Sequence, residues 1–146
     1  MRVDFAFNAP NRISQAVQTT VKQTSRGVQI LVYCPNHDMA KRYSQQLWAT
    51  PGTAFIANDW FAETQQTELP VYLFNDDNWH LASPELLEKR WLLNLHLECP
   101  PIKESPVQRI LEFVSSQEQD REFARKRWSD YKKIGYQIVG HDLAAR

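Results

Sequence analysis

Residues 1–33, MRVDFAFNAPNRISQAVQTTVKQTSRGVQILVY, read as a strand, a helix and a second strand, and that order decides the fold class. Val3, Phe5 and Phe7 alternate with Arg2, Asp4 and Ala6, the period-two pattern of a strand. Pro10 then opens a helix whose stripe, Ile13, Ala16, Val17, Thr20 and Val21, recurs at i, i+3 and i+4. Gly27 stops that helix. Val28–Tyr33 follows as a continuous β-rich run, the signature of a strand covered on both faces.

The same alternation continues downstream. Asp38 is placed to N-cap a helix carrying Met39, Ala40, Tyr43 and Leu47, closed at Trp48. Pro51-Gly52 breaks the chain before a short strand at Ala54–Ile56. A polar stretch, Ala62–Glu68, precedes a buried strand at Pro70–Phe74, and a loop over Asn75–Glu88 separates this from another at Trp91–Leu95. After Pro100-Pro101 the pattern reads as two closing helices, Val107–Ser116 and Glu118–Ile134, and a last strand near Tyr136–Val139. Short buried strands alternating with helices imply an α/β fold of three layers, a mostly parallel sheet with helices on its faces. Residues 1–146 are expected to form this single domain, long enough to bury a core without disulfides or metal.

Lys plus Arg number 17 and Asp plus Glu number 17, so the net charge is near zero. A duplex-binding domain carries a basic excess, because phosphate neutralisation supplies most of its affinity. The balance therefore argues against direct DNA binding as the main task. Cys34 and Cys99 are too few for a disulfide framework or a four-sulfur zinc site, which favours a cytoplasmic location. No apolar run approaches ~18 residues, so no membrane span is expected, and Met1–Phe7 reads as a strand rather than a signal peptide.

Catalytic chemistry finds little support. None of the glycines, Gly27, Gly52, Gly135 and Gly140, builds a complete G-x-G-x-x-G or G-x-x-x-x-G-K-[ST] phosphate-binding loop. Asp76-Asp77 resembles a magnesium-binding carboxylate pair, yet with no phosphate loop to serve it reads as a strand-end turn. His96-Leu97-Glu98 has the H-x-E spacing of zinc deaminases but lacks the later P-C-x-x-C that completes such a site. Ser14, Ser44 and Ser83 lack a nucleophile elbow. No catalytic residue, metal or cofactor is expected. Trp60-Phe61 and Trp79 sit in polar surroundings, where exposed aromatics would mark a protein-contact surface.

The informative segment is 121–136, REFARKRWSDYKKIGY. At about 100° per residue, Phe123, Ala124, Tyr131 and Ile134 form the core stripe. Arg127 falls within it, which predicts a buried guanidinium paired with a carboxylate or carbonyl groups. Arg121, Arg125 and Lys132 cluster on a neighbouring face, with Trp128 between that face and the stripe. Guanidinium groups one turn apart beside an aromatic suit an acidic peptide with a hydrophobic anchor. Charged stripes are also commonplace on solvated helix faces, and pattern alone favours that plainer account.

Three motifs bear a resemblance. Leu47-Trp48-Ala49-x-Pro51 followed by Ala54-Phe55-Ile56, Leu92-Leu93-Asn94-Leu95, and Ala124-Arg125-x-Arg127-Trp128-x-x-Tyr131-x-x-x-Gly135-Tyr136 resemble, in this order, segments of the chi subunit of bacterial DNA polymerase III. The resemblance implies a nucleotide-binding-like topology without its phosphate loop. It also implies an accessory, non-catalytic role, linking the clamp-loader assembly, through its psi subunit, to the acidic C-terminal tail of single-stranded-DNA-binding protein. DNA would then be contacted only indirectly. Carried over by position, Arg121 and Arg125 would take the acidic groups, while Val114, Trp128, Gly135 and Tyr136 shape the apolar pocket. Ser129 stands where a lysine is common in relatives, and Lys132 or Lys126 is placed to substitute. Ala57-Asn58-Asp59 replaces a Pro-His pair near a neighbouring partner surface. The rival accounts are a degenerate nucleotide hydrolase using Asp76 and Asp77, and direct single-strand binding by the basic helix and aromatics.

Overall fold

The computed structural model describes residues 1–49, 56–62, 68–102 and 104–145. Seven strands, β1 (Arg2–Ala9), β2 (Ile30–Tyr33), β3 (Asn58–Trp60), β4 (Val71–Phe74), β5 (Trp91–Asn94), β6 (Arg109–Ser115) and β7 (Gln137–Asp142), form one sheet in the order β3-β4-β2-β5-β6-β1-β7. Every pairing among the described residues is parallel. Helices α1 (Arg12–Thr24) and α2 (His37–Trp48) pack on one face through Ile13, Ala16, Val17, Ala40, Tyr43 and Leu47. Helices α3 (Pro84–Lys89) and α4 (Glu118–Ile134) cover the other through Leu87, Ala124 and Tyr131. The three-layer α/β architecture expected from the alternating pattern is the one observed, and the sheet is more uniformly parallel than "mostly".

Several elements differ from the expectation. Val107–Ser116 does not form a helix; its core is β6, whose Ile110, Leu111, Phe113 and Val114 are all buried. A strand covered on both faces has no polar alternation, so its short apolar run cannot be told from a helix by periodicity. The loop expected over Asn75–Glu88 contains a single 3₁₀ turn, Trp79–Leu81, and α3, whose start combines a Ser83 N-cap with Pro84. Asn36, not Asp38, caps α2, its side chain accepting from Met39 N at 3.0 Å. Helix α1 likewise starts at Arg12 behind the Asn11 cap rather than at Pro10. The expected strand at Ala54–Ile56 and the polar stretch Ala62–Glu68 fall largely outside the described residues; the described strand nearby is β3. The closing strand runs Gln137–Asp142.

Helix α4 is fixed to the sheet by a buried polar cluster. The Glu112 carboxylate, 0% exposed, accepts from Arg127 Nε at 3.0 Å, Asn94 Nδ2 at 2.7 Å and the Tyr131 hydroxyl at 2.7 Å. Arg127 Nη1 donates to the Leu97 carbonyl at 2.9 Å, and Arg12 Nη2 stands 3.8 Å from the same carboxylate. This is the buried, paired guanidinium the helical stripe predicted. The stripe is otherwise narrower than expected: Ala124, Arg127 and Tyr131 are buried, Phe123 is half-buried and Ile134 is exposed. A helix docked through one carboxylate can leave its flanking apolar positions at the margin of the contact.

Candidate functional site

Helix α4 crosses over β1 on its way from β6 to β7, and a cleft of about 500 Å³ opens along that crossing. Its walls are Phe5, Phe7 and Asn8 of β1, Val114 of β6, and Arg121, Ala124, Arg125 and Trp128 of α4. The floor is aromatic and aliphatic. Phe5 meets the Trp128 indole with ring centroids 5.0 Å apart and Tyr131 edge-on at 5.9 Å. Gly140 of β7, opposite Phe5 in the register, makes room for this arrangement: a Cβ there would lie 3.3 Å from Phe7 Cε1 and 3.7 Å from Trp128 Cη2.

Asn8 shapes one end of the cleft. Its φ of 64° is left-handed, a conformation that asparagine tolerates better than most residues. It coincides with the register shift between Ala6 and Ala9, a bulge that turns the strand end. The Asn8 side chain donates to Asp142 Oδ1 at 2.8 Å, tying the bulge to the edge strand.

Arg121 and Arg125, one turn apart, form the charged rim. Glu118, in the first turn of the same helix, reaches both: its Oε1 lies 3.3 Å from Arg125 Nη1 and its Oε2 lies 3.9 Å from Arg121 Nη1. Apolar floor and paired guanidinium groups together can hold a ligand that is apolar at one end and anionic at the other.

Of the residues singled out in the sequence, Val114, Arg121, Arg125 and Trp128 meet at this cleft. Lys132, Gly135 and Tyr136 are not among its lining residues. Lys132 is exposed in the last turn of α4. Gly135 ends the helix at φ 95°, and a Cβ there would meet nothing within 4 Å, so its glycine answers to the turn rather than to close approach. Tyr136 packs on Tyr131 at 6.0 Å, and burial raises its hydroxyl pKa. Phe5, Phe7 and Asn8 were missed as site residues. The available signal was the Phe5/Phe7 alternation, which predicts a shared face but not which helix covers it.

The other sequence features resolve locally. Asp76 accepts from the Tyr33 hydroxyl, and the Asp77 amide bonds to Asn75 Oδ1 at 2.9 Å, a strand-end turn. Trp79 donates to the Pro101 carbonyl at 3.1 Å, and it and Phe61 pack against the α3/α4-side core. Trp60 packs against the opposite core, with His37 at 5.5 Å. These aromatics are half-buried. Cys34 and Cys99 belong to the two opposite layers. Among the described residues no group of His, Cys, Asp and Glu could hold a metal ion, and no helix is long and apolar enough to cross a membrane.

The family model for the DNA polymerase III chi subunit, HolC, matches residues 1–139. The chain belongs to this family. A curated relative, DNA polymerase III subunit chi of Pseudomonas aeruginosa, is 28% identical over 146 residues, covering 97% of this chain and 96% of its own. The chi family match runs from β1 to the first half of β7 and includes every strand and helix that lines the cleft. It places the chain among the subunits of DNA polymerase III and in DNA replication.

Proposed function

We propose that the chain is a non-catalytic replisome adaptor that holds the acidic C-terminal tail of single-stranded-DNA-binding protein in the α4/β1 cleft. Through the psi subunit it links that tail to the polymerase III clamp loader, and DNA is contacted only indirectly. The observation that carries this reading is the coincidence of an apolar floor, Phe5, Phe7, Val114 and Trp128, with the Arg121–Arg125 rim in one cleft. The tail's terminal apolar side chain enters the floor. Its carboxylates meet the guanidinium forks. Lys132, exposed one turn beyond Trp128, extends the positive surface for acidic residues further up the tail.

The test is a titration with tail peptide, intact and lacking its terminal apolar residue. Loss of a charge-assisted hydrogen bond costs about 1.5–3 kcal/mol. Arg125→Ala is expected at the low end of that range, because the side chain is 60% exposed and partly screened. Deleting the terminal residue should weaken binding comparably, by the burial of one large apolar side chain, about 1.5–3 kcal/mol. Equal affinity of wild type and Arg125→Ala for the intact peptide would remove the cleft from consideration.

A further inference from the structure

The charged rim already carries a carboxylate. Glu118 spans both arginines that line the cleft, with one oxygen towards each guanidinium. It comes from the same helix, three residues before Arg121 and seven before Arg125, so α4 itself sets the geometry. Glu118 is not part of the cleft wall; it approaches the arginines from outside the apolar floor. An anionic ligand seated on that floor and reaching for the same two forks meets a side chain of the same charge there.

We propose that Glu118 is a built-in competitor for the Arg121–Arg125 rim, setting how much negative charge a ligand must bring to occupy the cleft. This rests on the peptide-binding reading above and adds to it a residue that determines specificity. A ligand with one carboxylate must displace Glu118 or share the guanidinium groups with it, and gains little. A ligand with several adjacent carboxylates replaces the Glu118 contacts and adds others. Glu118 thereby discriminates between weakly and strongly acidic peptides of equal apolar character. Because Glu118 is 66% exposed and Arg125 60% exposed, the competition is modest and salt-sensitive.

The full-length chain is titrated with two fluorescein-labelled peptides ending in a free phenylalanine carboxylate, one preceded by consecutive aspartates and one by serines. Wild type, Glu118→Gln and Glu122→Gln are compared at low and high salt. Glu122 is an exposed residue of the same helix that, unlike Glu118, makes no ion pair with Arg121 or Arg125 among the described residues, so its variant makes the same change in net charge near the rim without removing the competing contact. Glu118→Gln is expected to bind the aspartate peptide about fivefold more tightly at low salt, the scale of an exposed ion pair. The gain for the serine peptide should be larger as a ratio, so that discrimination between the two peptides narrows. Both differences should shrink at high salt, and Glu122→Gln should behave as wild type.

If wild type binds the aspartate peptide but Glu118→Gln binds equally or more weakly, the competitor role is overturned while the cleft reading stands. An equal gain in Glu122→Gln also overturns it, by assigning the effect to net charge. Failure of both wild type and Glu118→Gln to bind either peptide overturns the two readings together. Binding by Glu118→Gln alone would support both.

Discussion

Replacing Arg127 with methionine removes one partner of the buried Glu112 cluster while keeping an unbranched side chain of similar length. The carboxylate left behind is 0% exposed and cannot recover its lost interaction from water. Breaking a buried ion pair from one side costs about 3–5 kcal/mol. Asn94 Nδ2 and the Tyr131 hydroxyl still donate to Glu112, each at 2.7 Å, and Arg12 remains 3.8 Å away. The expected loss is therefore near the lower limit, about 3 kcal/mol, a large share of the ~5–15 kcal/mol that holds a domain folded. Urea denaturation followed by far-ultraviolet circular dichroism measures it directly. The double variant Glu112→Gln/Arg127→Met should recover a substantial part, since the stranded carboxylate is gone and the buried guanidinium that remains, Arg12, keeps the Phe113, Leu95, Asn94 and His96 carbonyls as acceptors. A loss below about 1 kcal/mol, the value of an exposed pair, would refute the reasoning. So would a double variant no more stable than the single one.

Three further outcomes follow from local geometry. Burial works to raise the Asp4 carboxyl pKa, but bonds from His141, Arg2 and Arg109, each at 2.8 Å at the closest atom, outweigh it and hold the value below the ordinary 3.8. A depressed native pKa contributes stability above the unfolded value that is lost as pH falls through the native one. Asp4→Asn should thus melt lower than wild type at neutral pH, and the two should converge in acid below about pH 3.8; a constant gap in melting temperature would contradict this. Gly140→Val crowds Phe7 and Trp128, narrowing the cleft; overpacking of about 1–3 kcal/mol should appear as about a tenfold loss of tail-peptide affinity in the same titration. Burial pushes the Cys34 thiol up to about 11 and the Cys99 thiol, beside Glu112, up to about 12. Both should therefore react with a thiol reagent at mildly alkaline pH far more slowly than in denaturant, as absorbance of the released chromophore would report.

The fold was legible where one periodicity ruled. The alternation in β1 and the stripe of α1 each fix an element, because one face of each is more polar than the other. Legibility failed at β6, where Leu111 and Phe113 face the α1/α2 layer while Ile110 and Val114 face α4. With both faces buried and a glutamate at position 112, nothing local distinguishes strand from helix. Glu112 is legible only through Arg127, since a buried guanidinium requires an acceptor that the helix itself does not supply. The cleft was half legible for the same reason. Helical spacing brings Arg121, Arg125 and Trp128 together, but Phe5, Phe7 and Asn8 arrive from more than a hundred residues away through the β6-β1-β7 strand order. Gly135 and Tyr136 are near the site in sequence and not at its wall, because the helix ends between them and the cleft.

The strand order also bears on why the proposed recognition cleft lies on the side of the sheet. In open parallel sheets, ligands ordinarily enter at the carboxyl ends of the strands. Here that place, at the ends of β5 and β6, holds the Arg12 guanidinium. Its Nε donates to the Phe113 carbonyl at 2.9 Å, Nη1 to Leu95 at 3.2 Å, and Nη2 to Asn94 at 3.3 Å and His96 at 2.9 Å. A phosphate loop presents backbone N–H groups to an anion; this arrangement does the reverse, filling the space with a cation turned towards carbonyl oxygens. Arg12 and Arg127 together flank the single carboxylate of Glu112, so the interior at the strand ends is closed by its own charges. The rigid sheet then serves as a platform for α4. Between β1 and α4 an apolar cleft stays open beside Arg121 and Arg125. An ordered strand end and a partly covered strand face are two consequences of one helix placement. Loosening Arg127 should disturb both, whereas removing Arg125 should disturb only the second.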